Sequence, residues 1–432
     1  MTDDLRMGVA EVDITPPVGT AMAGALEPRP ATWICDPLRV KALVLESQGV
    51  RLACVVFDLV ELTRETGDRF VALASQRTGI PPDHIFWTCT HTHSGPIVGF
   101  DWPDETAGDA LNRAWFETLP EKFVQAVAAA DAARAPVRLS RVRAYHSGLS
   151  HNRRLRYKDG REINTWLLNG GEDDLQCIGA AAPIDPEINV LAFEDEAGSL
   201  RGVLFHFALH NNACWNGGFS AEFPAVVAAR LRERYGAQVS TLFLPGCCGD
   251  LNPVHSCRET GDALADAIMA KLDTRKPVAG PIRLDAIRRE ITLPYRDLTL
   301  DQEAQLERTQ WYGKGKELFR RNLDYMRRKG VKETTTWVGA WRIGDIGFAS
   351  LPGEVFCQWG MRLKEKSPFP WTVPVELCND CVGYLVTRQA WEAGGYEGIT
   401  STIAPVDVKG VEALTEQALA MLNELWTRGA TP

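Results

Sequence analysis

The chain contains no apolar run approaching the ~20 consecutive residues that a membrane-spanning helix requires, so no stable membrane insertion is expected. It has no basic excess either: 47 Lys and Arg stand against 56 Asp and Glu, a net charge of −9. Neutralising phosphates needs a basic surface, so nucleic acid is excluded as a partner. The start lacks the basic segment followed by an apolar one that marks a secretion signal, which points to a cytoplasmic protein. The 11 cysteines are odd in number and scattered from Cys35 to Cys381, without the spacing of a disulfide framework. Cys378 and Cys381 form a Cys-x-x-Cys, but no second pair completes a four-thiolate zinc site, and the small βαβ context of a redox dithiol is missing. Vicinal Cys247 and Cys248 read as small buried residues. A Walker A loop, His-Glu-x-x-His and Gly-x-Ser-x-Gly are all absent.

What is present is ample material for a large core: 432 residues, 45% of them hydrophobic. Strand-like apolar runs alternate with helical stretches. Val40 to Glu46, Leu52 to Leu59 and His84 to Cys89 read as strands, with Asp68 to Arg77 as a helix between them. Leu111 to Arg134 has helical periodicity. Val190 to Glu194, Val203 to Leu209 and Val239 to Leu244 read as strands, and Glu222 to Tyr235 as a helix. Thr336 to Ser350 reads as a hairpin around Gly344-Asp345, and Val411 to Trp426 as a last helix. This alternation predicts an α/β fold, a mixed β-sheet core flanked by helices. A long polar helical arm at about 297–331 interrupts it, with a basic face that a solvated helix surface explains. No internal repeat or linker stands out, so 1–432 is predicted to be one domain.

Five segments carry residues suited to chemistry. Thr90-His91-Thr92-His93-Ser94-Gly95-Pro96 follows a strand, and strand alternation would put His91 and His93 on one side. They suit a metal, a metal ligand plus a proton carrier, or a hydrogen-bonded structural pair. Phe205 to Asn212 offers His206 and His210; His210 lies at the strand's end, where sites in open α/β sheets gather, and His206, deeper, reads as structural. Glu354 follows Pro352-Gly353 and opens a probable helix, as a favourable N-terminal charge or as a carboxylate ligand. Tyr384 and Tyr396 lie in a segment of small and polar residues and read as packed rings. The segment Leu244 to Pro253 is a strand end running into a loop rich in turn-formers, which lets backbone approach a ligand or simply makes a tight turn.

In this order the segments resemble the N-terminal catalytic domain of the neutral/alkaline (non-lysosomal) ceramidase family. The matching runs begin at Ala10-Glu11-Val12-Asp13-Ile14-Thr15-Pro16 and continue through the Thr-His-Thr-His motif, Asn152-Arg153-Arg154, Phe207-Ala208-Leu209-His210, Gly249-Asp250-Leu251-Asn252-Pro253 and Pro352-Gly353-Glu354. They close with Gly383-Tyr384-Leu385-Val386-Thr387 and Tyr396-Glu397-Gly398, so nearly the whole chain is spanned. The resemblance implies a zinc amidohydrolase with one Zn2+ per chain, held by His91, His210, Glu354 and Tyr384. It implies that His93 and Arg153 flank the metal water and the substrate carbonyl, and that Tyr396 supplies a nearby hydroxyl. Such ligands leave room for water, whose pKa zinc lowers to ~7.

The departures bear on substrate. Where ceramidases carry a serine in the loop of Gly249, this chain has Asn252, which can donate to an oxyanion but cannot form an acyl-enzyme. The family's C-terminal immunoglobulin-like domain and a secretion signal are not found in the sequence. The expected protein is therefore a cytoplasmic zinc hydrolase cleaving a linear or cyclic amide other than ceramide, by attack of metal-bound hydroxide. His93 would carry the proton, and Arg153 and Tyr396 would stabilise the oxyanion. An esterase or lactonase using the same metal is the alternative. A non-catalytic metal- and ligand-binding protein stands behind both, disfavoured because closed structural zinc sites favour cysteine ligands. The expected partner is a small-molecule amide or ester; a homo-oligomer is compatible with the sequence.

Overall fold

The computed structural model describes residues 5–24, 29–98, 110–168, 170–214, 216–298, 314–399 and 402–430. Among these, no helix is long and apolar enough to cross a membrane. The architecture is α/β, and it uses one supersecondary unit three times. The first unit comprises β1 (Arg6–Asp13), β2 (Arg39–Ser47), β3 (Val50–Phe57), α1 (Arg64–Thr78) and β4 (Ile85–Cys89). Its three leading strands pair antiparallel, and β4 returns through the helix to lie parallel to β3. The second unit repeats this with β5 (Arg138–Tyr145), β6 (Glu187–Glu194), β7 (Leu200–Phe207), α4 (Phe223–Tyr235) and β8 (Ser240–Pro245). The third does so with β9 (Leu284–Pro294), β10 (Glu333–Ile343), β11 (Ile346–Ser350), α7 (Cys357–Lys366) and β12 (Trp371–Val375). The sequence reading found no internal repeat because the units share connectivity and apolar alternation, not residues.

Alternation explains how the three sheets pack. Leu43, Leu45 and Val56 of the first, Leu191, Leu204 and Leu242 of the second, and Trp341, Phe348 and Val373 of the third meet in one central core. Residues of opposite parity face outward. Val44 and Val55 meet α1 and α3 (Leu119–Ala132); Phe205 and Phe243 meet α4 and α5 (Cys257–Leu272); Ala340 and Ala349 meet α7 and α9 (Val408–Ala430). Trp341 stacks on Phe348 at 3.7 Å and reaches Phe86 of the first sheet at 5.6 Å. Truncating it to alanine should cost about 3–5 kcal/mol.

Local signals set several boundaries. Ser256 and Glu259 form a capping box on α5, and Gly79, at φ 71°, closes α1. The expected helix from Leu111 to Arg134 is two helices, α2 (Ala110–Phe116) and α3, because Pro120 belongs in a first turn. Of the expected arm, α6 (Lys314–Lys329) is described, and 299–313 lie outside the described residues. It is inserted at the tip of the β9–β10 hairpin. Gly339 pairs with Ser350, the last residue of β11, but the hairpin continues to Pro294 and Glu333. At ~3.3 Å per residue it overshoots the sheet by roughly 20 Å. Thr387 caps the short α8 (Arg388–Ala393) through the Ala390 N–H.

Candidate active site

The parallel pair in each unit ends on the same side of its sheet, and chemistry-bearing residues follow those ends. His91 and His93 lie beyond β4, His210 beyond β7 and Glu354 beyond β11. Strand alternation is not what brings His91 and His93 together. The strand stops at Cys89, and His91 sits in left-handed backbone at φ 59°. Such a conformation costs on the order of 1–3 kcal/mol and persists where its surroundings enforce it. Glu354 does not open a helix either. It occupies a two-residue strand, Glu354–Val355, whose parallel partner is Tyr384–Leu385, and Glu354 is in register with Tyr384 itself.

Backbone carbonyls fix all three imidazoles. Nδ1 of His91 faces the Val60 carbonyl at 2.8 Å, that of His93 the Gly24 carbonyl at 3.0 Å, and that of His210 the Cys248 carbonyl at 3.5 Å. A ring nitrogen against a carbonyl carries the proton, so in the neutral ring each Nε2 is left with its lone pair. These Nε2 atoms converge: His91 to His210 is 3.0 Å, His93 to His210 3.1 Å and His93 to His91 3.4 Å. Glu354 Oε2 is buried 3.2 Å from His91 Nε2 and 3.9 Å from that of His210, and it pairs with His91 by charge and hydrogen bond. Gly24, at φ 86°, is required, since a Cβ there would stand 2.6 Å from the His93 side chain.

Three imidazole lone pairs turned on one point repel one another unless a cation or a proton lies among them, and the carboxylate beside two of them favours either. Zinc–nitrogen bonds of about 2.0–2.1 Å at tetrahedral angles separate ligand nitrogens by roughly 3.3 Å, so the spacing fits a divalent metal. The metal-capable cluster comprises His91, His93 and His210, which brings His93 into ligand range beside the two expected imidazoles. Of the three, His93 alone is partly exposed. With no metal, one proton substitutes. Burial disfavours charge on His91, but Glu354 beside it outweighs burial and raises its pKa to about 9. Burial and then the His91 charge lower His93 to about 3 and push His210 well down.

Opposite the imidazoles stands Arg153, on the turn between two short strands, Ser150–Asn152 and Arg154–Tyr157. Its Nε donates to Glu397 Oε1 at 2.7 Å, which turns the rest of the guanidinium inward. Nη2 then reaches the Tyr384 hydroxyl at 3.0 Å and Nη1 the Asn252 Oδ1 at 3.3 Å. Burial opposes the Arg153 charge, but Tyr384, Glu397 and Glu354 hold it protonated. Burial, then Glu354, raises the Tyr384 phenol well above its usual range, so with no metal it keeps its proton. Tyr396 meets Tyr384 edge-on at 5.6 Å, with the two hydroxyls in contact.

Asn252 pairs with His151 across the strands Leu251–Pro253 and Ser150–Asn152. Its Oδ1 also accepts from Asn212 at 3.4 Å, which leaves the NH2 group as the donor it can offer. Gly249 lies in the same loop as Asn252, where backbone was expected to approach a ligand. Its N–H is spent on the Val355 carbonyl at 2.9 Å, so it cannot serve an oxyanion. Its contribution is close approach, because a Cβ there would lie 2.6 Å from the Glu354 carbonyl oxygen.

Sequence reasoning missed the carboxylates that hold this arrangement. Glu376, raised to about 8 by burial, accepts the N–H groups of Cys248 and Val355 at 3.0 and 2.9 Å. It thereby ties the His210 carbonyl partner to the Glu354 strand. Glu222, also raised to about 8 by burial, accepts from Ser94 at 3.0 Å and from the Cys214 N–H at 2.9 Å. Only Glu397 had a signal, its place in the Tyr396-Glu397-Gly398 match. His206 is structural: its ring nitrogens meet Asn189 at 3.3 Å and the Pro374 carbonyl at 2.8 Å. All 11 cysteines are free, and the Cys381 thiol donates to Glu61 at 2.9 Å.

No protein-family model matches the chain, and no curated protein matches it. Solved structures do. The crystal structure of neutral ceramidase from Pseudomonas aeruginosa is similar with a TM-score of 0.74 at 20% identity, covering 99% of this chain and 75% of that one. A ceramidase complexed with C2 is similar with a TM-score of 0.73 at 18% identity, covering 98% and 76%. The chain has a neutral ceramidase-like fold.

Proposed function

We propose that the protein is a cytoplasmic, zinc-dependent hydrolase that cleaves a small-molecule amide, linear or cyclic, other than ceramide. The observation that carries this is the convergence of three imidazole Nε2 atoms within 3.4 Å of one another, with the buried Glu354 carboxylate beside two of them. In this reading His91, His210 and Glu354 hold the metal, and Tyr384, in register with Glu354, completes the set. A zinc ion held there would supply Lewis-acid polarisation of a carbonyl and a water acidified to ~7.

The chain's own residues do the rest. His93, partly exposed and held as the Nδ1–H tautomer by Gly24, takes a proton at Nε2 and returns it to the leaving nitrogen. Arg153, locked through Nε by Glu397, presents its Nη groups to charge developing on the substrate oxygen, with the Tyr396 hydroxyl beside it. Asn252 adds an amide donor and leaves no serine nucleophile at that position. That both similar structures are ceramidases supports a hydrolase by analogy of fold.

The test compares acetyl p-nitroanilide with p-nitrophenyl acetate on zinc-loaded and chelated protein. Anilide cleavage that disappears on chelation and returns with zinc is expected. Cleavage of the ester alone would move the reading to an esterase or lactonase. Cleavage of neither would sink the hydrolase.

A further inference from the structure

The arm helix α6 is charged around most of its surface, yet one stripe is buried: Phe319, Asn322, Leu323 and Met326. The spacing places all four on one helical face. Phe319 packs edge-on against Tyr396 at 5.8 Å and clusters with Ile399 and Ile403, so this face lies over the Tyr396 side of the site. Asn322 is the anomaly. It is 1% exposed, and neither its Oδ1 nor its Nδ2 has a hydrogen-bond partner. A buried carboxamide with both ends unpaired is costly, and an apolar residue of similar size would suit the stripe better.

We propose that Asn322, flanked by Phe319, is a substrate subsite that hydrogen-bonds an amide group remote from the scissile bond. This deepens the hydrolase reading and rests on it for the word substrate. A carboxamide offers an acceptor and a donor side by side, which an amide C=O and N–H complement; an alkyl chain satisfies neither. The preferred molecules would then carry a second amide in the acyl part, and binding there would help hold the scissile bond against Arg153 and Tyr396.

The test is titration calorimetry with two unlabelled ligands of equal length, N-acetylglycinamide and pentanamide, on wild type, Asn322→Leu and Asn322→Ala. Wild type is expected to bind N-acetylglycinamide about tenfold more tightly. Both variants should erase that preference, and Asn322→Leu should also raise the melting temperature. No preference in wild type, or one that survives in a folded variant, would overturn the subsite. Binding is read without turnover, so its result stays separate from that of the anilide test.

Discussion

The two halves of the site differ in how they treat charge. On the imidazole side, three Nε2 atoms lie within 3.4 Å of one another beside the Glu354 carboxylate, and with no metal one proton on His91 is what holds them together. On the guanidinium side, Arg153 and Arg154 share Glu397 at 2.7 and 2.6 Å, and Arg154 also takes Glu162 at 2.9 Å. Burial opposes ionisation of Glu397, but the two guanidinium groups hold its pKa below the usual carboxylate range. The first half is satisfied only when something binds; the second is complete beforehand and keeps one geometry. Pairing a group that receives a ligand with one that does not reorganise is what the proposed hydrolysis at a metal would use.

The sharpest way to break this contrast is His93→Ala. On the proposed assignment, anilide turnover falls by about 10²–10⁴ while metal content is retained. Loss of metal instead would transfer His93 to the ligand set, an outcome its distances to His91 and His210 make worth measuring. Next in size is Glu397→Ala, which leaves two buried guanidinium groups short of a carboxylate. A loss of about 3–5 kcal/mol in urea unfolding is expected. An unchanged midpoint would mean that these pairs do not fix the second half.

A smaller effect comes from pH. In metal-free protein His91 has a pKa of about 9, raised by Glu354 against the opposing effect of burial. Metal must displace that proton, so apparent affinity should fall about tenfold per unit as pH drops below about 9. Chelator competition across pH measures the slope, and a flat profile would remove His91 from the ligands. The stability linkage has the opposite sense. The folded pKa exceeds the unfolded value of about 6.5, so this contribution to the metal-free fold is complete below about 6.5 and lost as pH rises through about 9.

The sequence carried the strands, most helices and the identity of the polar residues that meet, because apolar alternation and the motif residues are local. The assembly was not local. His91 and His93 were expected together through strand alternation; positive φ and contacts to Val60 and Gly24 do it instead. Glu354 and Tyr384 are neighbours only through a two-residue parallel pairing that no periodicity marks. Glu376 and Glu222 gave no signal, since each acts by accepting N–H or O–H groups brought from other units. The threefold use of one unit was hidden because alternation specifies a buried face without specifying which residues fill it.

The central claim is that the imidazole half is completed by a metal. Elemental mass spectrometry on purified wild type beside His91→Ala and Glu354→Ala tests it most directly. About one zinc per wild-type chain, lost in both variants while they remain folded, is expected. A folded wild type that takes up no divalent metal when zinc is supplied, or variants that retain it in full, would contradict the account.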